Sequence, residues 1–473
     1  MKRESWLGAG LALFACVIQQ PACAVTPTRD FEVAGAPVGH AKPDAAIAKA
    51  LATISATEIE HTIRSLVAFH TRNTLSSIEK DLPAGQGINA AADWIEAEFK
   101  RYSAECGGCL EVKRDTYTAE PQNRIPKPTP ITNVYAILRG SSPAQAKRMY
   151  LVTGHYDSRN SDTLDARGEA PGANDDASGV AVSLACARAL SRLKPAATLV
   201  FVAVAGEEQN LNGSRHLAQL AKSQGWQLEG ALDNDIVGGN TTPGDQLQDK
   251  SVVRVFSEGI PAIATAEQAR RADSLGYSSD SPSRELARAV ADVGATYGGG
   301  FRPVLEFRRD RFLRGGDHSS FNEEGFAAVR FTEWREDYNH QHQNPRTENG
   351  VEYGDLLKFV DFGYVAQVAR INAAALAVLA SAPPPPKHPR LITTTLDNNT
   401  TLEWDADASQ PGAQYEVLWR ELTAPQWQRF VAVTGTRVVV PVSKDNVIFS
   451  VRSVDASGHR SLMVVPEPQL PQR

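Results

Sequence analysis

Along the 473 residues runs a sparse trail of groups able to hold a metal: His155-Tyr156-Asp157, Asn174-Asp175-Asp176, Gly206-Glu207-Glu208, Asp235 and His342. Hydrolysis assisted by two cations needs such an inventory. Imidazoles and carboxylates serve as ligands, one carboxylate is shared between the ions, and one stays free to act as a base. No single pair is diagnostic. The ordered set is, and it points to metal-assisted hydrolysis.

Each cluster also has an ordinary local explanation to weigh. Gly172-Ala173-Asn174-Asp175-Asp176-Ala177-Ser178-Gly179 opens an Ala-rich helix, where Asp and Asn are favoured as caps and complement the helix dipole. Two adjacent aspartates flanked by glycines exceed what a cap needs, so one is expected to cap while the other reaches a metal pair. Gly206-Glu207-Glu208 follows the apolar run Thr198–Ala205. Adjacent carboxylates at a strand end project in different directions, and their repulsion calls for a nearby cation. In His155-x-Asp157, residues two apart on an extended segment share a face. Asp157 is therefore expected to accept from the His155 ring nitrogen that is not bound to metal.

These groups must be positioned by the elements around them. Glu58–Phe69 and Ile88–Tyr102 read as amphipathic helices. From about residue 131, strands alternate with helices. Asn133–Leu138, Arg148–Gly154, Thr198–Ala205, Glu229–Val237, Val252–Ser257 and Ala327–Thr332 read as strands. Ala177–Leu193, Leu211–Gln224, Ser283–Val293 and Leu356–Leu379 read as helices. Such alternation predicts a three-layer α/β/α sandwich on a mostly parallel central sheet over residues 56–381. Functional groups in such sheets gather beyond the strand C-termini, where His155, Glu207, Glu208 and Asp235 fall. Pro383–Pro386 breaks the chain within a Pro-rich linker, 382–390. Beyond it, 391–473 shows only strand-like alternation and is expected to form a small all-β sandwich.

Composition narrows the function classes. A hydrophobic share of 42% supports a large core, while a net charge of −6 with no long basic run favours neither nucleic acid nor an anionic membrane as partner. At the N-terminus, Lys2 and Arg3 precede an apolar stretch that ends near Ala22-Cys23-Ala24. This is the layout of a secretory signal peptide, 1–24, and implies a secreted or periplasmic chain with no membrane span after cleavage. Residues 25–55 read as a mobile or propeptide-like leader. Cys106-Gly107-Gly108-Cys109 is expected to close a local disulfide, and Cys186 to be a buried helix cysteine.

The set His-x-Asp, Gly-x-Asn-Asp-x-x-Ser-Gly, Gly-Glu-Glu, Asp-x-x-Gly and a late His resembles the secreted dizinc aminopeptidase family, which also contains aminopeptidase Y, glutamate carboxypeptidases and glutaminyl cyclases. The match spans about residues 131–380. It implies two Zn2+ per chain and cleavage of the N-terminal peptide bond of peptides with a free N-terminus. By position, it implies that Asp175 bridges the ions, that His155 and Asp235 complete one site, and that Glu208 and His342 complete the other. Glu207 would be the general base and Asp157 would orient His155. The last ligand lies in Tyr338-Asn339-His340-Gln341-His342-Gln343-Asn344-Pro345-Arg346-Thr347, where His342 has better spacing to Thr347 than His340. The family's usual Tyr before that ligand is replaced by Gln341, leaving Tyr338 or Gln341 as substitutes. Asp317-His318-Ser319-Ser320-Phe321 resembles a family segment that shapes the site.

Other readings share the fold: a glutaminyl cyclase, which usually works with one zinc, or a carboxypeptidase, which the basic loop Arg308, Arg309, Arg311 and Arg314 keeps open. A noncatalytic adhesion protein is the alternative from a different class. The C-terminal segments Leu402-x-Trp404, Tyr415-x-Val417-x-Trp419-Arg420 and Phe449–Asp455 resemble a fibronectin type III module. Such a module is read as a tether to a surface or polymer, or as an aid to secretion.

Overall fold

In the computed structural model, which describes residues 29–394, 396–407, 410 and 412–469, the centre is an eight-stranded mixed sheet. The signal segment 1–24 lies outside the described residues. Across the sheet the order is Leu110–Ala119, Thr129–Leu138, Thr198–Val204, Arg148–His155, Gln227–Asn234, Ala328–Glu333, Val252–Ser257 and Arg302–Glu306. The four strands from Thr198–Val204 to Ala328–Glu333 are mutually parallel; Thr129–Leu138 on one side and the pair Val252–Ser257 and Arg302–Glu306 on the other run against them, while the edge strand Leu110–Ala119 runs with them. Register places His155 opposite Val204, and Thr153 opposite Asp233. Three parallel strands therefore end level with one another, and the chemistry-bearing residues follow directly.

The sheet is buried on both faces. Along Thr198–Val204, Leu199, Phe201 and Ala203 enter one core with Ala177–Leu190, Pro282–Tyr297 and Phe362–Ser381. Val200, Val202 and Val204 enter the other with Leu217, Ala221 and Phe321 from Asn212–Ser223 and His318–Glu323. This period-2 division of an unbroken apolar run is what a central strand covered by helices requires. The expected α/β/α architecture is therefore present. Phe362–Ser381 is long and apolar enough to cross a membrane, but most of it is buried inside this core.

Several boundaries differ from the sequence reading for local reasons. The closing helix begins at Phe362 rather than Leu356, because Asp361 caps it by accepting from Tyr364 N at 3.0 Å. The charged segment Leu110–Ala119 is an edge strand that sequence inspection missed. Its polar residues are partly exposed, so they give no apolar alternation to read. Cys106 and Cys109 form the expected disulfide at the end of Ile88–Glu105, and Cys186 is buried and free.

The reading of 25–55 as a mobile leader needs correction over its described part, 29–55. Phe31 packs in the β-sandwich core and its carbonyl accepts from Trp419 Nε1 at 3.1 Å. Ala36–Pro37 adds a short antiparallel strand beside Arg429–Thr434. The chain then returns to the α/β/α body, where Ala45–Leu51 buries Ile47 and Leu51. Phe31 thus enters one core and Ile47, Leu51 and Ile54 another, a pattern with no short-range periodicity to reveal it.

The C-terminal part forms two four-stranded sheets, one of them completed by Ala36–Pro37. Lys387–Ile392 already belongs to one of them, so the sandwich begins inside the expected 382–390 linker. Leu402, Trp404, Tyr415, Val417, Trp419, Phe449 and Val451 form its core. It does not hang free. Arg420 reaches Asp280 and Trp427 reaches Glu285, both on the α/β/α side of the interface.

Candidate metal centre and catalytic cleft

Local structure aims the Asp175-Asp176 pair in two directions. Asp176 caps Ala177–Leu190, its carboxylate accepting from Gly179 N at 2.9 Å and from His155 N at 3.0 Å. Asp175 faces the opposite way, and the peptide bond between the two is cis. The helix comes very close to the neighbouring strands. A Cβ on Gly179 would lie 2.0 Å from the Asn234 carbonyl oxygen, and one on Gly154 would lie 2.4 Å from Gly179 C. Only glycine at both positions allows this approach.

The loop before the helix is held by two residues that sequence reasoning passed over. Asp355 accepts from Asn174 N at 2.8 Å and Asp175 N at 2.7 Å. Arg72 is buried and donates to the carbonyls of Tyr156 (2.7 Å), Leu66 (3.0 Å), Pro171 (2.6 Å) and Gly172 (2.8 Å). Loops that carry His155 and Asp175 are thereby tied to one guanidinium. Neither residue stands in a motif, so long-range contact was the only available signal.

The expected ligands converge. His155 Nε2 lies 3.1 Å from Asp175 Oδ1 and 3.9 Å from Asp235 Oδ1. His342 Nε2 lies 2.8 Å from Asp175 Oδ2 and 2.8 Å from Glu208 Oε1. The result is two three-residue clusters, His155-Asp175-Asp235 and Asp175-Glu208-His342, that share only Asp175. His340 is elsewhere: it stacks on Phe359 with ring centroids 3.5 Å apart and contacts Thr242.

Whether these residues fit a cation can be judged from their own valences. His155 Nε2 and Glu208 Oε1 are buried without a hydrogen-bond partner despite their close neighbours. Desolvated lone pairs that each face the centre of their own cluster rather than a donor are costly unless something positive sits there. Nitrogen and carboxylate oxygen donors suit zinc. The donor set fits. Asp235 presents one oxygen to the His155 cluster, since its Oδ2 pairs with Arg330 Nη2 at 2.8 Å.

Asp157 does more than was expected of it. His155 Nδ1 lies 3.1 Å from the Asp157 backbone carbonyl and 3.5 Å from its carboxylate. The carboxylate instead accepts from Glu207 N (3.3 Å), Glu208 N (3.1 Å) and Thr74 Oγ1 (3.2 Å). It fixes the turn that separates the two glutamates. Glu208 then points to His342, while the Glu207 carboxylate has no hydrogen bond or ion pair among the described residues. Burial, with Glu208, Asp235 and Asp317 nearby, pushes Glu207 well above the ordinary range, and His155 opposes this only in part. For Asp175 burial acts in the same direction, but His342 and His155 outweigh it and hold the carboxyl well below its usual range.

Arg159 was also missed. Its Nε donates to Glu208 Oε2 at 2.8 Å, and its Nη2 lies 2.6 Å from His342 Nδ1. Gln341, standing where the family pattern has Tyr, donates to Asp175 Oδ2 at 3.1 Å, while Tyr338 is exposed. The Asp317–Phe321 segment packs behind the site. His318 there bonds Asp233 and the Arg309 carbonyl, and Phe321 is buried. The basic loop 308–314 is largely spent on internal pairs. Arg309 meets Glu323, Arg311 meets Asp310 and Glu336, and Arg314 meets Glu336.

Glu207, Glu208 and His342 open onto a cleft of about 780 Å3, also lined by Arg124, Arg159, Arg215 and Arg314. A space of this size accommodates a short peptide or similar ligand.

Comparison with known proteins bears on this geometry. Residues 133–354 match the model of peptidase family M28. A probable zinc metalloprotease from Pyrenophora teres f. teres is 45% identical over 430 residues, covering 90% of this chain and 88% of the relative. The probable zinc metalloprotease Lema_P086240 from Leptosphaeria maculans is 45% identical over 428 residues, covering 90% of this chain and 98% of the relative. Among solved structures, the Legionella pneumophila LapA aminopeptidase aligns with a TM-score of 0.49 at 17% identity, over 73% of this chain and 77% of that one.

Proposed function

Given that the chain belongs to peptidase family M28, we propose that it is a zinc metallopeptidase with two ions per chain that removes the N-terminal residue of peptides. One observation carries this reading. The two oxygens of Asp175 face two different ligand groups, His155 with Asp235 and His342 with Glu208. A single-ion site has no use for that division.

In this reading His155, Asp175 and Asp235 hold one zinc, and Asp175, Glu208 and His342 hold the other. The bound ions would polarise the scissile carbonyl and acidify a water. Glu207, without a side-chain partner among the described residues and beside both clusters, takes a proton from the attacking water as the water oxygen bonds to the carbonyl carbon. It returns that proton to the leaving nitrogen as the C–N bond breaks. Asp157 holds Glu207 and Glu208 apart, so one carboxylate stays on ligand duty while the other remains a base. A protonated substrate amine would be drawn to the acidic floor formed by Glu207, Glu208 and Asp235.

We also place the protein outside the cytoplasm, secreted or periplasmic. The N-terminal signal layout and the Cys106–Cys109 disulfide support this. The C-terminal sandwich, read as fibronectin type III-like, has a supporting role through its interface besides any surface or polymer it binds.

The test is a paired assay on one preparation: zinc per chain, and hydrolysis of free against N-acetylated peptides. About two zincs are expected, with activity on free amines only. Glu207→Gln should retain its metal yet lose on the order of 100-fold or more in kcat. Equal cleavage of N-blocked peptides would remove the aminopeptidase reading.

A further inference from the structure

Two of the arginines on the cleft are not consumed by the protein itself. Arg159 pairs with Glu208, and Arg314 with Glu336. Arg124 and Arg215 form no ion pair among the described residues, although both line the same cleft as Glu207. Both are partly buried. Half-buried guanidinium groups without a carboxylate partner give this part of the cleft a positive character that favours an anionic group on the ligand.

Arg124 is also held in place. It sits at φ +64° in the turn closed by reciprocal backbone hydrogen bonds between Gln122 and Ile125, at 2.8 and 3.0 Å. That turn is tied to the loop of the catalytic glutamates at three points. Arg124 Nη1 donates to the Glu208 carbonyl at 3.0 Å, Asn210 Nδ2 to the Asn123 carbonyl at 2.8 Å, and Gln122 Nε2 to Asn212 Oδ1 at 3.0 Å. Arg215 lies in the first turn of Asn212–Ser223, directly after this loop. One Nη1 hydrogen bond of Arg124 is used on the backbone, and the other donors of this cleft-lining fork have no partner among the described residues. An arginine fork matches a carboxylate in shape as well as charge.

We infer that Arg124 and Arg215 form a carboxylate-recognition subsite, so that the preferred substrates are short peptides bearing a carboxylate near the scissile bond. This rests on the aminopeptidase reading for the identity of the bond, but not for the binding itself. The carboxylate has two sources, the free C-terminus of a dipeptide or the acidic side chain of an N-terminal residue.

The experiment uses the zinc-loaded Glu207→Gln chain for binding and the unmodified chain for turnover, with three peptides: Leu-Ala, Leu-Ala amide and Glu-Ala amide. At least one carboxylate-bearing peptide should bind tenfold or more tighter than Leu-Ala amide by calorimetry, and kcat/KM should follow the same order. A preference for Leu-Ala identifies the C-terminus as the source, and one for Glu-Ala amide identifies the side chain. Substituting Arg124→Gln and Arg215→Gln together should bring the ratio close to one, with Arg124→Lys alone keeping part of it. Equal binding of all three peptides, or a ratio untouched by the double substitution, overturns the subsite. If the preference persists in binding while no peptide is hydrolysed, the subsite stands and the aminopeptidase reading falls.

Discussion

Arg420 Nη2 lies 2.6 Å from Asp280 Oδ1, and both side chains are wholly buried where the β-sandwich meets the catalytic layer. Arg288 shares the same oxygen at 3.1 Å and also pairs with Glu285, which accepts from Trp427 Nε1 at 2.9 Å. Burying ions costs several kcal/mol each, and the geometry offsets this only while all partners remain. Arg420→Met should therefore cost about 3 kcal/mol of stability, with Asp280→Asn partly restoring it in the double variant. Urea unfolding of the cycle measures the coupling. Additive losses would show that the pair contributes nothing across the interface.

Sharing of Asp175 separates it from the other ligands. Asp175→Ala should lose both zinc ions, whereas His155→Ala and His342→Ala should each lose one and keep about half the bound metal. Metal analysis after gel filtration reads this directly. Loss of a single ion from Asp175→Ala would mean that the clusters bind independently.

Arg159 can only donate hydrogen bonds, so its contact with His342 Nδ1 makes that atom an acceptor and leaves the proton of a neutral ring on Nε2. Binding a cation through Nε2 requires the opposite tautomer. Arg159→Gln, whose amide oxygen accepts from Nδ1–H, should tighten zinc at the Glu208-His342 site about tenfold, the scale of such supporting contacts. Competition against a chelator measures it. Weaker binding in the variant would show that the arginine is needed to aim Glu208.

Glu333 ends its strand buried, accepting from Asn240 N at 2.8 Å and from Asn174 Nδ2 at 3.2 Å. Burial pushes its pKa up to about 8, from an ordinary 4.5. The folded chain therefore holds this proton over a window in which the unfolded chain has released it. The associated stability is fully present below about pH 4.5 and is lost as pH rises towards 8, at about 1.4 kcal/mol per pH unit. Glu333→Gln should flatten the pH dependence of urea midpoints across this window, measured with metal chelated throughout. An unchanged slope would mean that another group releases the proton.

What the sequence determined by itself was chemistry and local geometry. Residue type marked His155, Asp175, Glu208, Asp235 and His342 as candidate ligands, and Glu207 as a candidate spare carboxylate. Apolar runs such as Thr198–Val204 marked the strands that end beneath them, because side-chain periodicity is imposed by the backbone over a few residues. Tertiary structure alone decided the rest. It sent Asp176 to the helix cap and Asp175 to the metal clusters, a choice that depends on how closely Gly179 approaches its neighbouring strand. It gave the Asp157 carboxylate to the glutamate turn, and it brought Arg72, Arg159 and Asp355 to the site from positions without a motif. It also threaded the residues around Phe31 into the β-sandwich. Contacts of this kind join residues far apart in the chain. They are selected by packing and by the need to satisfy buried polar groups, neither of which leaves a periodic trace in sequence.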